Sequence, residues 1–204
     1  MGAPWEERPD VWKDEKAYCV WLRGQCRRIW ARHPIRVAVI QASRVPVTDT
    51  LRETFGLGAR VRTACKCAIC KGYFKQADVE VDHKDNAGSF TTVEEWKVWV
   101  DRLLLVDSTD LQVLCKDCHA IVSYSQRMRC SFEEAKALKT IISFGKLKVT
   151  AQVSILRKMA GLVEHPALKS AAKRIAFYAK LLGHEQLWAK HLERDRDKEW
   201  SKDE

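Results

Sequence analysis

The feature that most constrains this chain is a pair of C-x-x-C motifs set far apart, Cys67-Ala-Ile-Cys70 and Cys115-Lys-Asp-Cys118. Together they supply four thiolates, the ligand number and type of one tetrahedral zinc ion. The interval between the pairs is much longer than in a compact zinc ribbon, so the intervening chain must fold as a unit of its own whose ends meet. Four further cysteines lie outside the motifs. Cys65, two residues before Cys67, can compete for the ion, but its strand-like flanks favour a buried or bystander thiol. Cys19 and Cys26 stand two turns apart on one expected helix and are read as packing residues, and Cys130 is left over.

Thiols and metal ligands fit better than disulfides because nothing in the chain points to export. The start, MGAPWEERPD, lacks the basic-then-apolar order of a signal peptide, and no apolar run approaches the roughly 20 residues of a membrane span. A soluble, cytoplasmic chain without membrane contact is expected. With 204 residues, 46% apolar and 31% charged, it is large enough for one domain or a small domain with helical additions, and too apolar to be disordered. Thirty-six Lys and Arg against 27 Asp and Glu leave a net +9, which makes a polyanion, and nucleic acid first, the expected partner.

That charge has a local concentration. From Ala17 to Thr48 there is no acidic residue, against six arginines. Between Lys16 and Arg32, Tyr18, Trp21, Leu22, Ile29 and Trp30 recur at helical spacing, predicting an amphipathic helix that Pro34 ends. Arg23, Arg27, Arg28, Arg32 and Arg36 are the expected DNA contacts, since guanidinium suits bidentate phosphate binding. Trp21 and Trp30 fall on the apolar stripe and are expected in the core, as are Trp96 and Trp99. Pro46 to Arg62 reads as a loop-rich connection.

Between the cysteine pairs, Val79 to His83 alternates as a short strand and Lys84 to Ser89 is a loop. Thr92 with Glu95 opens a helix carrying Trp96, Val100, Leu103 and Leu104. Leu111 to Leu114 is a second strand, leading into a helix from Lys116 to Met128. Ser131 with Glu134 opens another helix, broken at Gly145. Helical patterns then cover Val149 to Leu162 and Leu168 to Leu192, with Pro166 between them and Gly183 a weak point. The mixed-charge end reads as a solvated helix end or frayed tail. Four segments result: 1–62, basic helix and connection; 63–130, cysteine-containing core; 131–192, helical region; 193–204, charged tail. His33, His165, His184 and His191 have no partner at ligand spacing and receive no chemistry.

The run Cys67-Ala-Ile-Cys70, Val79-Glu-Val-Asp82-His83 and Leu111-Gln-Val-Leu-Cys115-Lys-Asp-Cys118-His119 resembles the HNH endonuclease family, whose fold is the ββα-metal motif. RTACKCAICKGYF, VEVDHKDNAGSF, LQVLCKDCHAIVSYS and SFEEA resemble bacteriophage-type members more narrowly. The resemblance is strong from Cys67 to Val122, looser from the arginine-rich helix to about Lys146, and absent beyond. It implies an α+β protein with a zinc-braced ββα-metal core, an N-terminal basic helix and an all-helical C-terminal region. Zinc on Cys67, Cys70, Cys115 and Cys118 would be structural. Asp82 and His119 would hold one divalent ion, Mg²⁺ or Mn²⁺, with histidine ligation also admitting zinc or nickel. His83 would be the general base, its second ring nitrogen held by an acceptor. The middle Asn of the family pattern falls on Asp110, which can add a metal ligand or accept hydrogen bonds that fix its loop, but cannot donate as an amide does; Asp107 is the fallback.

Asp82 and His83 would point to opposite faces of a regular strand, so convergence on one phosphate predicts a departure from strand geometry there. The function implied is metal-dependent DNA cleavage, nicking as a monomer and cutting both strands as a homodimer, in a bacterial host cytoplasm. A plain zinc module explains the cysteines but not Asp82-His83 and His119. The rival functions are a degenerate, DNA-binding accessory protein and a factor whose C-terminal helices bind a phage or host protein.

Overall fold

The structure, a computed structural model, describes residues 2–161 and 165–200. Leu162, at the end of one expected helix, and the last four residues of the charged tail lie outside the described residues. The elements in chain order are α1 (Pro4–Glu7), α2 (Glu15–Trp30), α3 (Pro34–Ala42), β1 (Arg44–Pro46), α4 (Asp49–Phe55), β2 (Thr63–Lys66), β3 (Tyr73–Phe74), β4 (Val79–His83), α5 (Val93–Leu104), β5 (Leu111–Cys115), α6 (Lys116–Met128), α7 (Phe132–Gly145), α8 (Val149–Ala160), α9 (Ala171–Leu181) and α10 (Glu185–Trp200). The chain is α+β and mostly helical, with two small antiparallel sheets, β1-β2-β3 and β4-β5. It divides into two compact units, Met1–His119 and Ala120–Glu204. The division falls inside α6, where the sequence suggested one core running to residue 130.

In the first unit the alternation of β4 does the positioning. Val79 pairs with Cys115, Val81 with Val113, Asp82 with Gln112 and His83 with Leu111. The two-residue period therefore sends Val79, Val81, Leu111 and Val113 to one face and Glu80, Asp82, Gln112 and Leu114 to the other. The apolar face packs on Ile35, Val39 and Ile40 of α3, with Cys65, Phe74 and Trp30. A second cluster joins Cys19, Leu22 and Cys26 of α2 to Phe90, Trp99 and Leu103, and Trp30 belongs to both. The helix starts are tied together: Val93 N–H donates to Glu15 Oε1 at 2.8 Å, while Glu95 Oε2 accepts from Thr91 N–H at 2.8 Å.

Three expectations change here. Pro34 ends α2 but also opens α3 at its first position, where its missing N–H has no cost. The stretch from Pro46 to Arg62, expected to be loop-rich, contains α4, and β1 ends at its first residue. Thr48 Oγ1 caps α4 by accepting from Leu51 N–H, and Gly56 closes it at φ +61°; seven residues are too few to show a helical period. Trp21 and Trp96 are 43% and 37% exposed, whereas Trp99 is buried. The inward stripe of α2 runs through Cys19, Leu22, Cys26 and Trp30, so the cysteines occupy core positions and Trp21 sits beside them, with Trp12 at 5.1 Å.

The second unit is helical throughout its described residues. Ala135, Leu138, Ile141 and Phe144 form the buried stripe of α7, and Phe144 stacks on Tyr178 at 4.0 Å. Gly183, at φ +74°, breaks the long helical pattern into α9 and α10. Its polar centre is Gln152, 3% exposed, whose Nε2 donates to the carbonyls of Gly145 (3.0 Å) and Leu147 (2.9 Å) at the end of α7. Gln152 Oε1 accepts from Nε of Arg174, itself buried, at 2.7 Å, and Arg174 also donates to Leu168 O at 2.9 Å. Removing the amide strands a buried guanidinium and two carbonyls. Gln152→Ala is therefore expected to lower unfolding free energy by about 3 kcal/mol, read by urea denaturation, whereas a surface change such as Lys158→Ala moves it by less than about 0.5 kcal/mol.

Candidate metal centre

The first cysteine pair sits in a tight knuckle between β2 and β3. Cys67 N–H donates to Gly72 O at 2.9 Å and Lys71 N–H to Cys67 O at 3.1 Å, with Lys71 in the left-handed region at φ +62°. Gly72 is closely surrounded: a Cβ there would lie 3.0 Å from the Phe74 ring and 3.5 Å from Cys70 Sγ. Ala68 N–H donates to Val113 O at 2.8 Å, fastening the knuckle to β5. The second pair spans the last residue of β5 and the first turn of α6, where Cys118 N–H points at Cys115 Sγ, 3.4 Å away.

The sulfurs of Cys67, Cys70, Cys115 and Cys118 lie within 4.8 Å of one another, and Cys70 and Cys115 approach to 3.9 Å. Four zinc–sulfur bonds of about 2.3 Å in a tetrahedron separate the sulfurs by about 3.8 Å, so the cluster can bind a zinc ion. Burial opposes ionisation of Cys67, but backbone N–H groups of Cys115, Cys70 and Ile69 and the Cys70 thiol outweigh it and bring its pKa down to about 7. Burial, together with the neighbouring thiolate charge, pushes Cys115 and Cys118 up. One thiolate is favoured and further ones are resisted, as expected for ligands awaiting a cation. Cys65 is not in the cluster; it lies buried in the apolar core beside Val79 and Val81.

The turn that brings in Cys118 also carries His119 over the polar face of the hairpin. His119 Nδ1 is 2.6 Å from Glu80 Oε2, and Nε2 is 3.6 Å from Asp82 Oδ1. Gln112 Nε2 donates to Asp82 Oδ2 at 3.4 Å. Asp82 is the main cause lifting the His119 pKa above its ordinary 6.5; burial opposes and Glu80 adds. In the neutral ring the short approach to Glu80 places the proton on Nδ1 and leaves Nε2 as a lone pair facing Asp82. A gap of 3.6 Å is too long for a hydrogen bond, and an oxygen and an imidazole nitrogen facing across it suit a divalent cation.

His83 has different neighbours. Its Nε2 is 3.1 Å from Leu103 O, and the ring lies 4.5 Å from that of Trp30. A carbonyl only accepts, so Nε2 carries the proton and Nδ1 is the basic nitrogen. The expected departure from strand geometry is absent: β4 remains paired through His83 with Leu111, and Asp82 and His83 leave on opposite faces. Asp110 does not join Asp82 and His119 by any contact; its Oδ2 accepts from Asp107 N–H at 2.7 Å and its carbonyl from Lys84 N–H at 2.8 Å, closing the turn before β5.

Of the arginines, Arg23 is used internally, donating to Ser89 Oγ at 2.6 Å and to Phe90 O and lying over the Phe90 ring. Arg36 donates to Ala31 O at 2.9 Å. Arg27, Arg28 and Arg32 are exposed on and just after the last turn of α2, Arg28 donating to Gln25 Oε1 at 3.2 Å. Glu80 and Gln112 were not singled out in the sequence, although the i, i+2 spacing of Glu80 and Asp82 on a strand already places both carboxylates on one face. His191, given no partner by spacing, is buried between Tyr124 Oη (3.3 Å) and Asp195 (3.5 Å), an i, i+4 pair.

Comparison with protein-family models, curated proteins and solved structures finds no match for this chain. No helix among the described residues is long and apolar enough to cross a membrane. For the cysteine cluster, elemental analysis is expected to find one zinc per chain, absent from Cys118→Ser. Stripping the ion with a chelator should lower the melting temperature by roughly 10 °C, because a ligand at a thousand times its dissociation constant contributes about 4 kcal/mol.

Proposed function

We propose that the protein is a zinc-braced, metal-dependent DNA endonuclease of HNH type, with His83 as general base and Asp82 and His119 as ligands of a divalent ion. The observation that carries this reading is a pair of oriented imidazoles on one small hairpin-and-helix unit, each with one nitrogen fixed by a protein oxygen and the other left for chemistry. Glu80 fixes His119 so that Nε2 faces Asp82, the carboxylate–histidine arrangement common at metal ligands. Leu103 O fixes His83 so that Nδ1 can take a proton from an attacking water. His83 is the last residue of β4, so a phosphate lying across the strand end has access to both its faces.

Asp82 and His119 would hold a divalent ion, which would supply positive charge against the phosphate and the leaving 3′ oxygen. The ion is Mg²⁺ or Mn²⁺ in this reading, and the products carry 5′-phosphate and 3′-hydroxyl ends, as the family resemblance implies. Zinc in the four-cysteine cluster is structural. Arg27, Arg28 and Arg32 present an acid-free basic face for phosphate binding, while Arg23 and Arg36 support the fold.

A second reading, a DNA-binding accessory factor with a degenerate site, is favoured by the opposite exits of Asp82 and His83 and by the Asp110 carboxylate being tied into its own turn. A phage or host protein bound by the C-terminal helices belongs to this second reading. Supercoiled plasmid separates the two. Metal-dependent conversion to open circle, reduced at least about 100-fold in His83→Ala with DNA binding retained, supports the enzyme. Intact plasmid in every metal, with gel-shift binding preserved, supports the accessory factor. Direct conversion to linear product would add paired action by two copies.

Acidity gives a further expectation. The raised His119 pKa means that the ring keeps its proton to higher pH, and the cation must displace that proton. The metal concentration for half-maximal cleavage should rise as pH falls through the His119 pKa, approaching about tenfold per unit below it, and flatten above it. Neutralising Arg27, Arg28 and Arg32 to Gln should reduce the slope of log affinity against log salt by about 0.9 for each phosphate that is no longer neutralised.

A further inference from the structure

Most of the chain's positive charge lies away from its arginine-rich helix. Residues 120–192 hold thirteen Lys and Arg against four Asp and Glu, while the whole chain nets +9. Part of this excess converges on an open cleft of about 690 Å³ within the second unit, lined by Tyr124 and Arg127 of α6, Lys139 of α7, Lys146 just after it, and Trp188 and His191 of α10. The Arg127 guanidinium lies 5.1 Å from the centre of the Tyr124 ring and the Lys139 ammonium 5.8 Å from it, so two cations from different helices approach one aromatic ring. Among the described residues no carboxylate comes within 4.0 Å of Arg127, Lys139 or Lys146. Asp195, the acid in the cleft wall, faces His191 instead.

We propose that this cleft is a second nucleic-acid contact, in which Arg127, Lys139 and Lys146 hold the phosphates of a DNA strand against the Tyr124–Trp188 wall. Like charges gathered with no carboxylate paired to them repel one another, and an anion placed among them removes that cost. A single phosphate needs no more than the three lining cations. The ten further Lys and Arg between residues 120 and 192 favour an extended polyanion over a free nucleotide. Only the choice of DNA rests on the nuclease reading; the cleft's use does not require that the chain cut anything.

The test is titration of a fluorescent DNA duplex with the full chain in EDTA across a salt series, comparing Arg127→Gln/Lys139→Gln/Lys146→Gln with Lys158→Gln/Lys169→Gln/Lys173→Gln, an equal charge change outside the cleft. The proposal expects the salt slope of the cleft triple to fall by about 0.9 for each phosphate released, roughly 2–3 in all, and that of the control to fall less. An equal fall in both, or none in the cleft triple, overturns it. Displacement of the duplex by inorganic phosphate or a mononucleotide at micromolar concentration also overturns it, in favour of a small-anion site. If circular dichroism shows the triple unfolded, Lys146→Gln alone, at an exposed position, should lower the slope by about 0.9. Because binding is read without metal, an inactive nuclease site leaves this result unaffected.

Discussion

The closure of the four cysteine thiols on one another is the constraint from which the rest of the first unit follows. Two paired strands of five residues each cannot hold themselves in water, and their apolar face is covered from one side by α3. The other side depends on how α6 leaves β5. Cys115 ends β5 and Cys118 lies in the first turn of α6, so tying both to the Cys67–Cys70 knuckle fixes the direction of that turn. His119 is the next residue. Its position over Glu80 and Asp82 is therefore set by the same turn that completes the thiol cluster, and a ligand bound by the thiols would stiffen the imidazole next to it.

The polar face of the hairpin is built for positive charge. Two carboxylates on one strand face would repel each other in the absence of a cation, and the His119 proton relieves that repulsion, which is why its pKa rises. In the proposed function, a divalent ion would compete with that proton for the same electrostatic role. The thiols behave in parallel: the first ionisation, at Cys67, is helped by surrounding N–H groups, and further ionisation is resisted until a cation neutralises the cluster. The four-cysteine cluster is thus incomplete electrostatically in a way that a metal ion can satisfy.

Legibility in the sequence follows the length of the pattern. β4, β5, α5, α6 and α7 are readable because each has either a two-residue alternation or a helical period with a capping pair, such as Ser131 with Glu134. The elements α4 and β1 are not, since a seven-residue helix and a three-residue edge strand carry too little period to rise above their Pro and Gly surroundings. The candidate site is half legible. The family resemblance singles out Asp82, His83 and His119, whereas Glu80 enters only through the rule that alternate strand residues share a face, and Leu103 O through a backbone carbonyl that no residue type announces. Trp21 lies outside its expected place because cysteines, small and apolar, fill the core stripe that larger side chains suggest.

Charge shows the same difference between sequence and space. The acid-free run from Ala17 to Thr48 is the most conspicuous basic feature along the chain, yet Arg23 and Arg36 spend guanidinium donors on the carbonyls of Phe90 and Ala31. A guanidinium so used acts as a brace, and its charge is offered to an outside anion only in part. Arg127, Lys139 and Lys146 are spread over twenty positions among other residues and form no run, but the packing of α6, α7 and α10 gathers them on one cleft. Cations that converge with no carboxylate paired to them are the physical requirement for holding a phosphate, and density along the chain is a poor measure of it. Once the guanidinium groups engaged in internal hydrogen bonds are set aside, the charge free to meet an outside anion moves in weight from the first basic helix toward the C-terminal helices, the part of the chain for which sequence motifs offer no function.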